Sequence, residues 1–327
     1  MGSRPVPKYL STSECNVDIP GFLRIHKDGR CERLVGNDII PPGTDTSTGV
    51  ISKEVIISHE SKVFVRMYIN SKTCIATNHK LPTLIYYHGG AFLTESAASS
   101  TYHPTLNLIT KESNLIVVSV NYRLAPEHLL PTAYEDSWEA VNWVATHVKG
   151  NGPESWLNDH ANLQNVFFAG DSAGANIAHN MAIRLGLYPI NDIKLAGVIL
   201  LHPYFGGEVP IEGENLEYKT YFDQVWRLVN RPGVGLDDLT VNPGMDPRIS
   251  SFGCSKILLC VGEKDKVKER GYNYKNVMEN SGWKGRIEFM ETKGEGHVFF
   301  LFNSSSENAR MLRNRICTFI NPNTSKI

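Results

Sequence analysis

The chain has 327 residues, 41% of them hydrophobic and 20% charged, which is an ordinary composition for a soluble globular protein. Because 33 Lys and Arg balance 34 Asp and Glu to a formal net charge of -1, the chain has no field to attract a polyanion, and nucleic acid is not an expected partner. The N-terminal residues contain no apolar run typical of a secretory signal, and no apolar stretch of about 18 residues could span a bilayer. The sequence therefore predicts a cytoplasmic protein with no membrane partner.

Cysteine spacing gives no sign of a disulfide framework or of a metal site. The six cysteines are Cys15, Cys31, Cys74, Cys254, Cys260 and Cys317, and they form no Cys-x-x-Cys pair. Reduced thiols are the prediction for this pattern in a cytoplasmic protein. Neither a zinc-protease motif nor a phosphate-binding glycine loop occurs in the sequence, so we expect no metal and no other cofactor.

From about Val50 onward, short apolar runs alternate with longer amphipathic stretches, as expected for parallel strands joined by crossover helices. Eight strands are predicted, at residues 50–58, 62–69, 83–88, 115–122, 165–171, 195–203, 256–263 and 286–292. The first two form an antiparallel hairpin, and most of the others are apolar throughout, which is typical of strands covered on both faces. Helices are predicted at about 103–112, 133–148, 173–186, 267–281 and 304–320. The predicted fold class is α/β, with an eight-stranded, mostly parallel sheet flanked by helices.

Two regions, residues 1–48 and 205–250, depart from this alternation. A long insertion between sheet strands is usually functional, so we expect both regions to form a cap on a single domain that spans residues 1–327. Four aromatic residues of the insertion are candidates for substrate binding: Phe205, Tyr221, Phe222 and Trp226. The alternative, that these rings only pack the cap, stays open at this stage.

The pentapeptide 170–174, GDSAG, has the G-x-S-x-G form and places Ser172 between an apolar strand and an amphipathic helix. A sharp turn in this position lifts a serine oxygen clear of the sheet, and the flanking glycines permit the close backbone approach that the turn needs. The helix N-terminus favours negative charge that develops nearby. Ser172 is therefore the predicted nucleophile.

A serine hydroxyl needs a base to take its proton and a carboxylate to orient that base. In a strand-turn-helix arrangement the expected chain order is Ser, then Asp or Glu, then His. His297, in a glycine-rich loop before the last helix, is the predicted base, and Asp265, directly after a strand, is the predicted carboxylate. Glu263 and Asp246 are the competing carboxylates. His202 is set aside because it comes too early in this order.

The reaction also needs donors for an oxyanion. The segment 88–92, HGGAF, follows an apolar strand, and its glycines leave backbone N–H groups unshielded. We assign the amides of Gly89, Gly90 and Ala173 to an oxyanion hole, and we expect His88 to fix the loop. An ordinary turn at the end of a strand is the alternative.

Four motifs together resemble those of plant carboxylesterases of the hormone-sensitive-lipase-like group of α/β-hydrolases. They are residues 88–92 (HGGAF), 121–128 (NYRLAPEH), 170–179 (GDSAGANIAH) and the pair Asp265 and His297. The resemblance runs from about Gly21 to Ile320 and implies the α/β-hydrolase fold. Relatives on the same scaffold include gibberellin receptors, 2-hydroxyisoflavanone dehydratases and alkaloid cyclases. The family often has HGGG where this chain has HGGA, so Ala91 is a departure that should affect the width of the pocket.

The resemblance implies a serine carboxylesterase that hydrolyses esters of a small plant metabolite through an acyl-enzyme. The alternative is a lyase, cyclase or dehydratase of alkaloid or isoflavonoid metabolism, and a third possibility is a small-molecule receptor without activity. The dehydratases carry Thr in place of the serine, and the receptors lack the histidine. Because Ser172 and His297 are both present, hydrolysis is the predicted function.

Overall fold

The computed structural model describes residues 15–72 and 80–322. Residues 1–14 of the predicted cap and the predicted thiol Cys74 lie outside the described residues. Among the described residues, Cys31, Cys254, Cys260 and Cys317 are free thiols. No helix within these two ranges has the length and the apolar character needed to cross a membrane.

A nine-stranded sheet forms the centre of the molecule. Its strands are β4 (Thr44–Asp45), β5 (Val50–Ile56), β6 (Phe64–Asn70), β7 (Leu81–Tyr87), β8 (Ile116–Asn121), β9 (Ala161–Asp171), β10 (Leu195–Leu201), β11 (Lys256–Gly262) and β12 (Arg286–Thr292). Their order is β12-β11-β10-β9-β7-β8-β6-β5-β4. The pairs from β12 to β8 are parallel, and those from β8 to β4 are antiparallel.

The predicted fold class and the predicted hairpin of β5 and β6 are confirmed. The ninth strand, β4, has two residues, which is too short for an alternating pattern to reveal. A separate antiparallel sheet of three short strands precedes the large one: β1 (Cys15–Ile19), β2 (Leu23–His26) and β3 (Cys31–Arg33).

Helices cover both faces of the large sheet. They are α1 (His103–Ser113), α2 (Thr132–Ala145), α3 (Ser155–His160), α4 (Ala173–Leu187), α5 (Leu216–Val229), α6 (Lys268–Asn280), α7 (Phe299–Phe302) and α8 (Glu307–Ile320). One hydrophobic cluster includes Val141 of α2, Met181 of α4 and Tyr274 of α6, and a second includes Leu106 of α1 and Leu312 of α8. The five predicted helices are confirmed within a few residues. Three of the eight, α3, α5 and α7, are not among the predicted helices, and α5 lies in the insertion 205–250.

Strand β9 shows why an apolar run in this sequence indicates a strand. Its successive residues Phe167 and Phe168 point to opposite faces, because side chains alternate along a strand. Phe168 belongs to the first hydrophobic cluster and Phe167 to the second. The stretch from Val166 to Gly170, which is buried on both faces, is apolar throughout, and the strand carries its last residue, Asp171, to the carboxyl edge of the sheet.

The segments predicted as a cap both contact the loop that follows β7. From the N-terminal segment, Arg33 donates a hydrogen bond to the carbonyl oxygen of Leu93 at 2.7 Å and pairs with the Glu127 carboxylate. From α5, the Trp226 ring packs edge-on against the ring of Phe92, with centroids 6.4 Å apart. The loop therefore lies between two segments that are distant from it in sequence.

Candidate active site

Ser172 lies between the end of β9 and the start of α4 in a strained backbone conformation, with φ 50° and ψ -117°. A non-glycine residue holds such a conformation only where the surrounding structure enforces it. The close packing at Gly174 provides that constraint, since a Cβ atom there would lie 1.9 Å from the carbonyl oxygen of Tyr87 and 2.6 Å from that of His88. Only glycine fits at this point, and the turn is pressed against the end of β7.

The backbone of Ser172 is fixed from the side of β10 as well. Its N–H donates to the carbonyl oxygen of Leu201 at 2.9 Å, and its carbonyl oxygen accepts from the Tyr204 amide at 3.0 Å. The side chain is largely buried, and its hydroxyl has no hydrogen-bond partner among residues 15–72 and 80–322. It precedes the first turn of α4, where free amides and the helix dipole favour negative charge.

His297 and Asp265, the predicted base and the predicted carboxylate, meet at the carboxyl edge of the sheet. The Nδ1 atom of His297 lies 2.8 Å from Oδ2 of Asp265, and 31% of the His297 side chain is exposed. The other carboxylate oxygen of Asp265 accepts a hydrogen bond from the Val267 amide at 3.0 Å. Because Nδ1 faces a carboxylate, it carries a proton, and Nε2 is the nitrogen left to accept one.

A second histidine, His202, binds the same carboxylate oxygen. Its Nδ1 atom also lies 2.8 Å from Oδ2 of Asp265, its side chain is fully buried, and its Nε2 has no hydrogen-bond partner among the described residues. Sequence reasoning set His202 aside as a base and missed this contact. The relevant signal is the sheet order: β10 and β11 are parallel neighbours, so the residues that follow them, His202 and Asp265, end side by side.

Asp265, His202 and His297 shift one another's pKa values. Burial alone would raise the pKa of Asp265, but the charge of His297 and hydrogen bonds from both histidines hold it well below its usual range. Burial lowers the pKa of His202, and its hydrogen bond to Asp265 does not offset this, so His202 is neutral at pH 7. For His297 the carboxylate outweighs burial, and its pKa is raised above 6.5.

The same trio forms the one group of His, Cys, Asp and Glu side chains within the described part of the chain that is compact enough to hold a metal ion. However, the two imidazoles and the carboxylate are joined at 2.8 Å, a hydrogen-bond distance. Metal ligation would require Nδ1 to lose the proton that it donates. The arrangement is therefore that of a carboxylate shared by two N–H donors.

The two competing carboxylates, Glu263 and Asp246, bind other partners. Glu263 is 40% exposed at its side chain and accepts a hydrogen bond from the Gly294 amide at 2.7 Å. Asp246 caps a short 3₁₀ helix and pairs with Arg248 at 2.7 Å. Neither carboxylate lies within hydrogen-bonding distance of His297 in the described residues.

The 88–92 loop after β7 has three successive residues in the left-handed region: Gly90 (φ 92°), Ala91 (φ 57°) and Phe92 (φ 63°). Gly90 is required there, since a Cβ atom would lie 2.3 Å from the carbonyl oxygen of Thr94. The amides of Gly90 and Ala91 have no acceptor among the described residues. Within the described residues the loop therefore presents free donors in succession, the first two at Gly90 and Ala91.

The Gly89 amide is not one of these free donors, and the prediction for this residue needs correction. It donates to the Tyr102 hydroxyl at 2.7 Å, so it is unavailable to an oxyanion. The amide of Ala91, which sequence reasoning left out, is free instead. The segment Gly-Gly-Ala allowed either adjacent pair of amides, and its sequence carries no signal for the contact with Tyr102.

His88 is held inside the protein. Its ring stacks on that of Tyr122 with centroids 4.2 Å apart, and its Nδ1 donates to the carbonyl oxygen of Gly89 at 2.9 Å. Burial lowers the pKa of His88 to about 4. A neutral, stacked imidazole fits the expectation that His88 fixes the loop and takes no proton from the substrate.

Three of the four candidate aromatic residues, Phe205, Phe222 and Trp226, border a narrow cavity of about 20 Å³ between α5 and the loops after β10 and β11. Tyr204 and Val267, whose amides bind Ser172 and Asp265, border it as well. Tyr221 does not border this cavity. It is buried beside Phe222, with ring centroids 5.2 Å apart.

A strained serine at a strand-to-helix turn, a histidine bound to a carboxylate and a loop with free amides lie together at the edge of a parallel sheet, as in α/β hydrolases. A family model described as alpha/beta hydrolase fold matches residues 84–301. This match covers more than half of the chain, and the chain belongs to that family.

Individual relatives place the chain in a narrower group within this family. The sequence is 42% identical over 317 residues to "Probable carboxylesterase 1" of Arabidopsis thaliana, covering 95% of this chain and 99% of the relative. It is 38% identical over 322 residues to the 2-hydroxyisoflavanone dehydratase of Glycyrrhiza echinata, covering 95% and 97%. A solved structure of a hyperthermophilic esterase from the archaeon Pyrobaculum calidifontis matches with a TM-score of 0.68 at 25% identity, covering 84% of this chain and 85% of that one. The resemblance to the plant carboxylesterase group is thereby confirmed.

Proposed function

We propose that the protein is a serine carboxylesterase with Ser172 as the nucleophile, His297 as the base and Asp265 as the group that orients His297. The reaction class is carboxylic ester hydrolysis, since named carboxylesterases match at about 40% identity along nearly the whole chain. The observation that carries the assignment of roles is the 2.8 Å contact between His297 and Asp265, in one site with a serine in a strained turn.

In the first half of the reaction, the Ser172 oxygen bonds to the ester carbonyl carbon while its proton passes to Nε2 of His297. The carbon–oxygen bond to the alcohol then breaks, and His297 returns the proton to the departing oxygen. In the second half, water attacks the acyl-enzyme, His297 takes its proton, and the acid leaves as Ser172 is restored. Asp265 stabilises the imidazolium that forms in each half.

The tetrahedral intermediates carry negative charge on the former carbonyl oxygen. We assign its donors to the amides of Gly90, Ala91 and Ala173. Gly90 and Ala91 have no other acceptor in the described structure, and Ala173 opens α4, where an amide has no partner inside the helix. Each such donor typically contributes about 10² to 10³ in rate.

We place the ester beside Tyr204 and Val267, where the cavity of about 20 Å³ must widen to admit it. Its aromatic wall, including Phe222 and Trp226, suits an apolar group of the substrate. That the ester comes from a plant metabolite, and that the protein is cytoplasmic, stay predictions from the sequence.

Dehydration is the second candidate function, favoured by the 38% identity to a 2-hydroxyisoflavanone dehydratase. Elimination of water needs a base such as His297 but no nucleophile, so Ser172→Ala would leave it largely intact. Incubation with a 2-hydroxyisoflavanone, followed by mass detection of the dehydrated product, separates this reaction from hydrolysis.

The test of the proposal is Ser172→Ala assayed with 4-nitrophenyl acetate and butyrate. We expect kcat/KM to fall by about a thousandfold or more, because removal of a nucleophile costs at least this much in serine hydrolases. Ser305→Ala, which alters an exposed serine before α8, should stay within about threefold of the unaltered protein. Equal turnover by the Ser172→Ala variant and the unaltered protein would remove the assignment.

A further inference from the structure

The carboxylate of Asp171 is buried directly beside the nucleophile and takes no part in the reaction just described. Its two oxygens accept hydrogen bonds from different tyrosines. The Tyr86 hydroxyl donates to Oδ1 at 2.8 Å, and the Tyr102 hydroxyl donates to Oδ2 at 2.9 Å. Asp171 is 1% exposed, so its charge is held by these two donors and not by water.

Tyr102 connects this carboxylate to the 88–92 loop. Because its hydroxyl hydrogen is given to Asp171, its oxygen is free to accept, and it accepts the Gly89 amide at 2.7 Å. The result is a short chain of hydrogen bonds from Asp171 through Tyr102 to Gly89. A charged acceptor at one end polarises and strengthens the next bond in such a chain.

The fit between the loop and the carboxylate is close. A Cβ atom on Gly89 would lie 2.4 Å from Oδ2 of Asp171 and 3.1 Å from the Tyr102 hydroxyl. The preceding residue is anchored separately, since the Tyr122 hydroxyl donates to the carbonyl oxygen of His88 at 2.6 Å. Gly90 directly follows these two anchored residues, His88 and Gly89, and is the first residue of the loop with an amide that has no acceptor among the described residues.

Retaining a charge here is costly for the fold. Burial raises the pKa of Asp171 to about 6, and the hydrogen bonds from Tyr86 and Tyr102 recover only part of that cost. A neutral side chain would avoid the cost but would be a weaker acceptor for Tyr102. The charge has a use if the hydrogen bond from Tyr102 must be strong to hold the 88–92 loop in position.

We propose that Asp171 and Tyr102 are positioning residues, which hold the 88–92 loop so that the Gly90 and Ala91 amides meet the oxyanion of the reaction. The inference rests on the proposed function. Neither side chain touches the reacting atoms in this account. Their effect on rate is indirect, because displacement of a donor by about 1 Å can cost on the order of 10²-fold.

The structure offers a matched pair of variants as the test. Tyr102→Phe and Tyr86→Phe each remove one hydroxyl from the same carboxylate, but only Tyr102 also binds the loop. We expect Tyr102→Phe to lower kcat for 4-nitrophenyl acetate by about 10- to 100-fold with KM within about threefold. Tyr86→Phe should lower kcat by no more than about threefold, since it weakens only the support of Asp171.

A second measurement separates loop position from general damage. A trifluoromethyl ketone forms an oxyanion adduct with an active serine, whereas the matching methyl ketone forms almost none, so the ratio of their affinities reports the oxyanion site. In Tyr102→Phe the affinity for the trifluoromethyl ketone should fall in proportion to kcat, with the methyl ketone unaffected. In Tyr86→Phe both affinities should stay within about threefold.

Asp171→Asn is the reserve variant if Tyr102→Phe does not fold. It keeps the shape of the side chain but weakens the acceptor, and it should cause a smaller, parallel loss of kcat and of trifluoromethyl ketone affinity. Rates are compared on the pH plateau of each protein, because the Asp171 charge also raises the pKa of His297.

The outcomes are distinguishable. If the unaltered protein hydrolyses the ester and binds the trifluoromethyl ketone but the two Tyr→Phe variants behave alike, the positioning role is wrong and the proposed function stands. A lower kcat in Tyr102→Phe with unchanged ketone affinity also contradicts the positioning role. If the unaltered protein does neither, the proposed function itself fails and this inference fails with it.

Discussion

His297 must be neutral to accept a proton from Ser172, and this requirement determines the pH dependence at the scale of single residues. The Asp265 carboxylate more than offsets burial and raises the pKa of His297 above 6.5. We therefore expect kcat/KM to decline on the acid side with a midpoint above pH 6.5. Asp265→Asn removes the charge, so the midpoint should move down and the rate should fall by about 10⁴-fold. A pH profile with 4-nitrophenyl acetate checks both effects, and an upward shift in Asp265→Asn would contradict them.

His202 supports the same carboxylate without taking a proton from the substrate. His202→Leu leaves a buried charge with one donor fewer, so the free energy of unfolding should fall by about 1.5 to 3 kcal/mol, and His202→Asn, which can keep a donor, should recover part of this. The pKa of His202 is lowered in the folded protein, so its contribution is full above the unfolded pKa near 6.5 and lost as the pH falls. Urea unfolding of the three proteins at pH 8 and pH 5 tests this. A larger deficit of His202→Leu at pH 5 than at pH 8 would be the wrong sign.

At the scale of elements, the turn from β9 to α4 depends on the absence of a side chain at Gly174. Gly174→Ala would place a Cβ atom 1.9 Å from the carbonyl oxygen of Tyr87, and backbone cannot yield as a flexible side chain does. We expect a loss of about 3 kcal/mol or more in unfolding free energy, together with loss of ester hydrolysis. Gly43→Ala, where the new atom meets open space, is the control and should stay within about 0.5 kcal/mol. Denaturant unfolding that ranks the two variants equally would contradict the geometry of the turn.

The sequence could predict features that depend on a single element, but not features that depend on which elements are neighbours in the fold. Strands such as β9 were predictable because burial on both faces leaves an uninterrupted apolar run, and the G-x-S-x-G turn was predictable because it lies between two such elements. The position of His202 was not, since it depends on β10 and β11 being neighbours in the sheet. The Gly89 amide was misassigned for a similar reason: its partner, the Tyr102 hydroxyl, is 13 residues away and reaches it only in the folded chain.

At the scale of the whole molecule, the near-neutral chain of 327 residues contains one large sheet whose carboxyl edge carries the site, with the N-terminal segment and α5 lying against the loop after β7. The family match from 84 to 301 spans the strands that deliver Ser172, Asp265 and His297. That residues 1–48 and 205–250 form a cap stays a prediction, and their closing over a small, mostly apolar ester is part of the proposal.

The most direct measurement is covalent labelling of the intact protein with diisopropyl fluorophosphate, followed by mass spectrometry of its peptides. A serine activated by His297 and Asp265 reacts with this reagent, whereas an ordinary serine does not. We predict one label per chain, on Ser172, with ester hydrolysis lost in step with labelling and with no label on Ser172→Ala. Complete loss of hydrolysis with Ser172 unmodified, or full hydrolysis after Ser172 is labelled, would contradict the account.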